Sequence, residues 1–138
     1  MDKSIDMGIN KTRVILDTNF LMIPGQNKID VFEEIKHLMT TPYQLCIFKE
    51  TVDELEKIAK GGTRDKINAK VAIKLIKQKN LKTLKNSSTE VSHVDDIILG
   101  NITDSDIVCT QDKALKRLLT QKFPKIKIIT LNRKLVMR

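Results

Sequence analysis

Apolar and polar positions along the chain follow two periods, one typical of buried strands and the other of amphipathic helices. Short apolar runs bounded by turn residues predict strands at 13–17, 45–48, 107–110 and 126–131, and a weaker run predicts one at 81–84. Between these runs, apolar residues recur every three or four positions, which predicts helices that bury one face. Strands and helices alternate about five times, so we expect a central parallel sheet of about five strands flanked by helices.

The limits of the helices follow from apolar spacing and from breaker residues. The predicted helices cover residues 29–39, 52–59, 67–76, 94–102 and 114–119. The first is preceded by a predicted turn at Pro24-Gly25, and the second is stopped by Gly61-Gly62. No long linker or repeat interrupts the pattern, so residues 1–138 are expected to form one domain, with residues 1–11 as a flexible N-terminal extension.

The charge of the chain is strongly positive and unevenly distributed. The formal net charge is +8, with ten Lys or Arg residues and one acid between residues 57 and 85, and nine and no acid between 113 and 138. The third predicted helix carries four lysines on the side opposite its apolar residues: Lys66, Lys70, Lys74 and Lys77. A basic surface of this kind favours nucleic acid as a partner. A solvated lysine face without a ligand is the alternative.

Composition argues against several classes of protein. No stretch approaches the roughly 20 apolar residues of a membrane span, and the polar N-terminus does not have the pattern of a signal peptide, so a cytoplasmic protein without a membrane partner is expected. Cys46 and Cys109 stand singly in apolar runs, which indicates buried thiols rather than a zinc site or a disulfide. Aromatic residues make up 4% of the chain, too few for RNA binding by base stacking.

Acidic residues stand where the predicted strands end or helices begin. Asp17 follows the first strand, Asp112 follows the strand at 107–110, and Asp95 and Asp96 open a helix. Glu54 lies near the start of the helix after the second strand. Because these positions meet at one edge of a parallel sheet, we expect the carboxylates to converge there.

Converging carboxylates repel one another unless a cation lies between them, and a group of oxygen donors suits Mg²⁺ or Mn²⁺. Two such ions can activate water for phosphodiester cleavage. Each acid also has a structural explanation. The aspartates can act as turn residues or helix N-caps, and Glu54 can pair with Lys57 or with a lysine at an adjacent helical turn. These explanations do not account for the basic flanks, so we favour a metal site.

Four segments, in this order, resemble the acidic motifs of the PIN-domain nucleases: VILDTNFLM, VDELEKI, VDDIIL and IVCTQDKALKRLL. The match extends from about residue 13 to residue 131, and LDTNF followed by ELEKI is most similar to the branch that processes ribosomal RNA in the small-subunit processome, with its archaeal relatives. The resemblance implies a PIN-like three-layer sandwich and a divalent-metal-dependent endoribonuclease. It assigns metal binding and catalysis to Asp17, Glu54, Asp95 and Asp112. Asp96 is included among the metal-binding acids, and the resemblance leaves open whether Asp95 or Asp96 is the main ligand of that pair.

The same resemblance implies that Asn19 and Thr110 are supporting polar groups beside the acids, and that the substrate is RNA, a ribosomal-RNA precursor in the leading interpretation. Two alternatives stay open: a VapC-type toxin ribonuclease of a toxin–antitoxin pair, and a non-catalytic RNA-binding module of ribosome assembly. The protein partners implied are accordingly ribosome-assembly proteins or an antitoxin, and a homodimer is also compatible with the sequence. RNA binding is expected from the lysines at positions 66, 70, 74 and 77.

Overall fold

The computed structural model describes residues 11–87 and 93–138. Seven helices and six strands lie in these ranges. In chain order they are β1 (Thr12–Leu16), α1 (Thr18–Leu21), α2 (Ile23–Asn27), α3 (Val31–Leu38), β2 (Tyr43–Phe48), α4 (Lys49–Ala59), α5 (Lys66–Gln78), β3 (Lys82–Leu84), α6 (Val94–Asn101), β4 (Ile107–Cys109), α7 (Lys113–Lys122), β5 (Lys127–Asn132) and β6 (Lys134–Met137). The predicted extension at residues 1–11 lies outside the described residues, except for Lys11.

The strands form one sheet in the order β3-β2-β1-β4-β5-β6. The first five in this order are parallel, as expected from the alternation of strands and helices. The sixth, β6, pairs antiparallel with β5 and was not predicted. Its four residues follow β5 after the single residue Arg133, without the glycine that marks most tight hairpins, so the sequence carries little signal for it.

Helices cover both faces of the sheet, which confirms the predicted three-layer architecture. Alternate residues of β1 point to opposite sides, so Val14 and Leu16 enter one core and Ile15 the other. The first core receives residues from α1 to α5 and the second from α6 and α7. With apolar side chains buried on both faces, the central strand carries a continuous apolar run, as parallel strands do.

The segment after β1 is helical, where a turn at Pro24-Gly25 was predicted. Pro24 occupies the first turn of α2, where its missing N–H is harmless, so the proline starts a helix instead of ending one. Gly25 lies in the same helix against Asn68 of α5, and an added Cβ would come within 2.6 Å of Asn68 Oδ1 and 2.8 Å of its Cα. The absence of a side chain at residue 25 therefore lets α5 pack closely on α2.

A bidentate ion pair lies at the amino-terminal end of β4. Arg13 donates to Asp106 through Nη2 at 2.7 Å and through Nε at 3.0 Å. The same carboxylate accepts from Thr103 N at 2.9 Å. Asp106 is thus a buried acid with its charge satisfied, away from the carboxyl ends of the strands. In the described part of the chain, no helix is both long and apolar enough to cross a membrane.

Candidate active site

Carboxylates from four separate segments meet at the carboxyl ends of the central strands. The neighbouring strands β1 and β4 pair through Leu16 and Cys109, so the residues that follow them lie side by side. A cavity of about 890 Å³ opens there. Its lining includes all five acids predicted from the sequence: Asp17, Glu54, Asp95, Asp96 and Asp112.

Asp17 is the most buried of these acids, with 3% of its surface exposed. Its Oδ1 accepts from the backbone N–H of Thr18 at 2.8 Å, and its Oδ2 accepts from the hydroxyl of Thr110 at 2.7 Å. Burial raises the pKa of Asp17, the two hydrogen bonds lower it in part, and the charges of Asp112 and Glu54 raise it further. Asp17 is therefore held in one orientation but at an electrostatic cost.

Hydrogen bonds join the loop after β4 to the loop after β1. Asn19 Oδ1 accepts from the backbone N–H of Gln111 at 3.0 Å and lies 3.5 Å from the hydroxyl of Thr110. The backbone N–H of Asp112 donates to Thr110 Oγ1 at 3.1 Å. Asn19 and Thr110, predicted as supporting groups, thus fix Asp17 and Asp112 relative to each other.

Asp112 has the structural role that was considered as the alternative, and it also lines the cavity. Its Oδ1 accepts from the backbone N–H groups of Ala114 at 2.8 Å and Leu115 at 3.1 Å, which makes it the N-cap of α7. A cap uses one carboxylate oxygen, so capping does not exclude a second role for the other oxygen.

The adjacent acids Asp95 and Asp96 differ in their surroundings, which the sequence did not distinguish. Both lie in the first turn of α6, but Asp95 is half-buried and Asp96 is exposed. The pKa of Asp95 is raised to about 6, mainly by burial and then by the charges of Asp17 and Asp112. The nearby side chain of Asp112 also contributes to the rise as a hydrogen-bonding group, which shows that the two carboxyl groups lie close together. Asp95 is thus the member of the pair that meets the other acids.

Glu54 belongs to α4, which packs on the face of the sheet opposite to α6 and α7. It was predicted near the start of its helix, but it lies at the middle, because α4 begins at Lys49. The side chain is exposed, and its Oε1 accepts a hydrogen bond from the hydroxyl of Thr18. Thr18 thus bonds Glu54 through its side chain and Asp17 through its backbone. This link between two acids was not predicted.

The chemistry of the donors fits a hard divalent cation, although the side chains are not gathered around one point. The five acids offer only oxygen ligands, and burial together with the charges of Asp17 and Asp112 raises the pKa of Asp95. Within residues 11–87 and 93–138, no three His, Cys, Asp or Glu residues are placed to hold an ion. Metal binding would therefore require some of these side chains to move closer together.

The four predicted RNA-binding lysines are exposed along α5 and are not part of the cavity lining. The residue before the helix, Asp65, does line the cavity, so the stripe begins at the cavity and extends away from it. Lys66 and Lys77 are eleven residues apart, which corresponds to about 16 Å along the helix.

Gln111 is a site residue that the sequence did not indicate. It lines the cavity, and its side chain binds β5: Oε1 accepts from Leu131 N at 2.6 Å and from Thr130 Oγ1 at 2.7 Å. Its position between Thr110 and Asp112 is the only sequence signal that could have identified it.

Lys116 donates to Thr130 Oγ1 at 2.7 Å. Its pKa is lowered by burial and then by the charges of Lys113 and Arg138.

Comparison with known proteins agrees with this geometry. The family described as PIN like domain matches residues 14–134. Ribonuclease VapC4 of Methanocaldococcus jannaschii is 30% identical over 112 residues, which cover 79% of this chain and 83% of that protein. The rRNA-processing protein fcf1 of Schizosaccharomyces pombe is 30% identical over 119 residues, which cover 85% of this chain and 57% of that protein. The chain thus spans little more than half the length of the second relative.

A solved structure of the PIN domain endonuclease Utp24 has the same fold. It superposes with a TM-score of 0.75 and 29% identity, and the alignment covers 91% of this chain and 90% of that one. The family match spans all four acidic motifs, so the predicted relationship to the PIN-domain nucleases is confirmed. The chain belongs to the PIN-like domain family.

Proposed function

We propose that this protein is a divalent-metal-dependent endoribonuclease that cleaves phosphodiester bonds in a ribosomal-RNA precursor. The observation that carries the proposal is the convergence of Asp17, Glu54, Asp95 and Asp112 on one cavity at the carboxyl edge of the sheet. They come from four segments that are distant in sequence. The assignment of Asp17, Glu54, Asp95 and Asp112 as catalytic metal-binding residues, with Asp96 as a further metal ligand, belongs to this proposal.

Each acid has a distinct task in the proposed site. Asp17, held by Thr18 and Thr110, provides a fixed carboxylate at the floor of the cavity. Asp95, whose pKa is raised to about 6 by burial and by the charges of Asp17 and Asp112, would lose its proton on metal binding, and Asp112 would offer the carboxylate oxygen that does not cap α7. A bound Mg²⁺ or Mn²⁺ would supply the Lewis acid that activates water and stabilises charge on the phosphate.

The α5 lysines provide the cations that the acidic cavity lacks. RNA brings negative phosphates toward a cluster of carboxylates, so binding requires positive charge nearby. Lys66, Lys70, Lys74 and Lys77 are exposed and begin beside the cavity. We propose that they contact phosphates on one side of the cleaved bond.

The relatives support RNA as the substrate. The similarity to the rRNA-processing protein fcf1 supports ribosomal-RNA processing, and the similarity to the PIN domain endonuclease Utp24 supports endonucleolytic cleavage. The partners that we propose are ribosome-assembly proteins. The similarity to ribonuclease VapC4 supports the second candidate, a toxin ribonuclease with an antitoxin partner. A small antitoxin gene beside this one, and growth arrest on expression that depends on Asp17, would favour the toxin.

The test is incubation of the protein with structured ribosomal-RNA precursor fragments and Mg²⁺ or Mn²⁺. We expect discrete cleavage products that EDTA abolishes and added Mn²⁺ restores. An Asp17→Asn preparation controls for contaminating nucleases. Equal cleavage with and without EDTA would contradict the metal-dependent mechanism. Binding without cleavage under any divalent ion would favour the non-catalytic assembly module.

A further inference from the structure

The turn between β5 and β6 lies at the end of the sheet where the parallel strands have their carboxyl ends, as the acids do. Because β5 runs parallel to β1 and β4, its carboxyl end reaches the edge where Asp17 and Asp112 lie. Leu131, two residues before the turn residue Arg133, lines the cavity. The crossover with α5 joins β2 to β3 on one side of β1, whereas β5 and β6 lie on the other side. The turn and α5 therefore flank the acids from opposite sides.

The side chain of Gln111 joins the carboxyl end of β5, which leads into this turn, to the acidic loop. Its Oε1 accepts from the backbone N–H of Leu131 at 2.6 Å, and its Nε2 donates to the carbonyl of the same residue at 3.3 Å. Gln111 pairs with Leu131 as a neighbouring strand would, and the next residue along the chain is Asp112. The end of β5, two residues before Arg133, is therefore held beside the loop that carries Asp112.

Arg133 occupies a backbone conformation that arginine rarely adopts. Its φ is 69°, in the left-handed region where glycine and asparagine are favoured. Arginine is strained in this conformation, and strained residues other than glycine are found preferentially at functional sites.

Positive charge at the turn is not neutralised by the protein. Arg133 and Lys134 are both exposed, and neither has an ion-pair partner in the described ranges. From residue 113 to the end of the chain there is no Asp or Glu. Free cations at the end of the sheet that carries the acids would attract the phosphates of a ligand that crosses this end.

We propose that Arg133 and Lys134, the β5–β6 turn, form a second phosphate-binding surface. Single-stranded RNA would then cross the acids from the lysines of α5 on one side to this turn on the other. The inference rests on the proposed function, and it assigns RNA contacts to a surface distinct from α5.

The test compares two double variants with the same change in net charge. Arg133→Asn with Lys134→Gln neutralises the turn, and asparagine tolerates the left-handed backbone at residue 133. The matched control is Lys125→Gln with Lys127→Gln, since both lysines are exposed and lie at the opposite end of β5. Binding of a fluorescein-labelled single-stranded oligoribonucleotide is measured in EDTA at several salt concentrations, with melting temperature as the check on folding.

We expect the turn variant to bind more weakly and to show a shallower dependence of log Kd on log salt, by about 1.4 for two lost phosphate contacts. The control should keep the wild-type slope, because it removes charge without removing contacts. Adding Lys66→Gln and Lys70→Gln to the turn variant should reduce the slope further, by a similar amount, if one RNA contacts both surfaces.

Equal slopes for the turn variant and the control would overturn the inference, and so would a quadruple variant no different from the turn variant. Wild-type cleavage is measured in parallel with Mn²⁺. If the wild-type protein cuts RNA while the turn variant binds normally, only this inference fails. If the wild-type protein neither binds nor cuts RNA, the proposed function fails as well.

Discussion

Asp17 shows how a single residue can serve both the fold and the site. It caps α1 and accepts from Thr18 and Thr110, so its geometry is that of a well-satisfied turn residue. Yet its carboxylate is 3% exposed and lies near other acids, which raises its pKa. A turn alone does not require a buried charge among like charges. A role in metal binding explains why a buried carboxylate lies among other acids, whereas a role as a turn residue does not.

We predict that Asp17→Asn reduces RNA cleavage by orders of magnitude, because it removes a metal-binding charge while keeping size and shape. The metal-free variant should be at least as stable as the wild type, since one repelling charge is lost. The measurements are single-turnover cleavage with Mn²⁺ and thermal unfolding in EDTA.

The control is Asp106→Asn, which changes another buried aspartate. Asp106 is bonded to Arg13 at the opposite edge of the sheet, so its loss should lower stability and leave the cleavage rate per folded molecule unchanged. If Asp17→Asn behaved in the same way, Asp17 would be a structural residue only.

The raised pKa of Asp95 predicts a pH dependence. In the folded, metal-free protein Asp95 keeps its proton up to about pH 6, whereas the ordinary value is 3.8. The folded state therefore binds more protons than the unfolded chain in this interval, and stability should fall as pH rises from about 4 to 6. Thermal unfolding in EDTA across this range measures the effect.

In the same experiment, Asp95→Asn should show a weaker fall and exceed the wild type in stability at pH 7. Asp104→Asn, at an exposed position outside the cavity, should follow the wild-type curve. Parallel curves for the Asp95 variant and the wild type would show that Asp95 does not titrate among neighbouring acids.

At the scale of elements, the site depends on how α2 and α5 pack beside the cavity. Gly25 allows α2 to approach Asn68, and that contact brings the start of α5 to the cavity. A second helical glycine, Gly100 in α6, serves as a control, because an added Cβ there would have nothing within 4 Å.

We predict opposite effects of the same substitution at these two glycines. Gly25→Ala should destabilise the protein by about 1–3 kcal/mol, because the backbone of Asn68 blocks the added methyl group. Gly100→Ala should stabilise it by up to about 1 kcal/mol, because alanine is the better helix former. Urea unfolding of both variants is the measurement. Stabilisation by Gly25→Ala would show that α2 and α5 are not in close contact.

The lysine stripe of α5 gives the second prediction at this scale. Neutralising Lys66, Lys70 and Lys74 should weaken RNA binding and lower its salt slope by about 2, since three phosphate contacts are lost. A variant with Lys36, Lys125 and Lys127 changed to glutamine has the same net charge and changes exposed lysines outside the stripe. The same slope in both variants would mean that the stripe is only a solvated surface.

At the scale of the whole molecule, the acids of the cavity and the basic surfaces lie in different places, although acidic motifs and basic segments follow one another along the chain. The acids line one cavity, while the lysines of α5 and the β5–β6 turn lie on opposite sides of it. We infer that this separation lets the molecule bind RNA by its flanks without metal, and that metal is needed only for cleavage.

We predict that Mn²⁺ or Mg²⁺ raises the melting temperature of the wild-type protein, because an ion that binds only the folded state stabilises it and relieves the repulsion between acids. The shift should be strongly reduced in Asp17→Asn and retained in Asp106→Asn. Differential scanning fluorimetry with a titration of each ion measures it. An equal shift in both variants would place the metal elsewhere.

Sequence patterns were sufficient to predict the architecture and the five acids that line the cavity. The apolar runs at β1 and β4 must be buried on both faces, which requires a parallel sheet with helices on each side. Acids directly after such strands converge for the same topological reason. β6 escaped prediction because a four-residue edge strand after a one-residue turn has neither length nor a glycine to mark it.

Other properties were decided only by the tertiary structure, because they depend on contacts between residues far apart in the chain. The periodic pattern places Asp95 and Asp96 on one helical turn, but only the packing of α6 and α7 brings Asp95 to Asp112 and leaves Asp96 exposed. Likewise, the side-chain amide of Gln111 pairs with the backbone of Leu131 only because β5 lies beside β4 in the folded sheet. Local propensity selects the elements, and packing decides which side chains share a site.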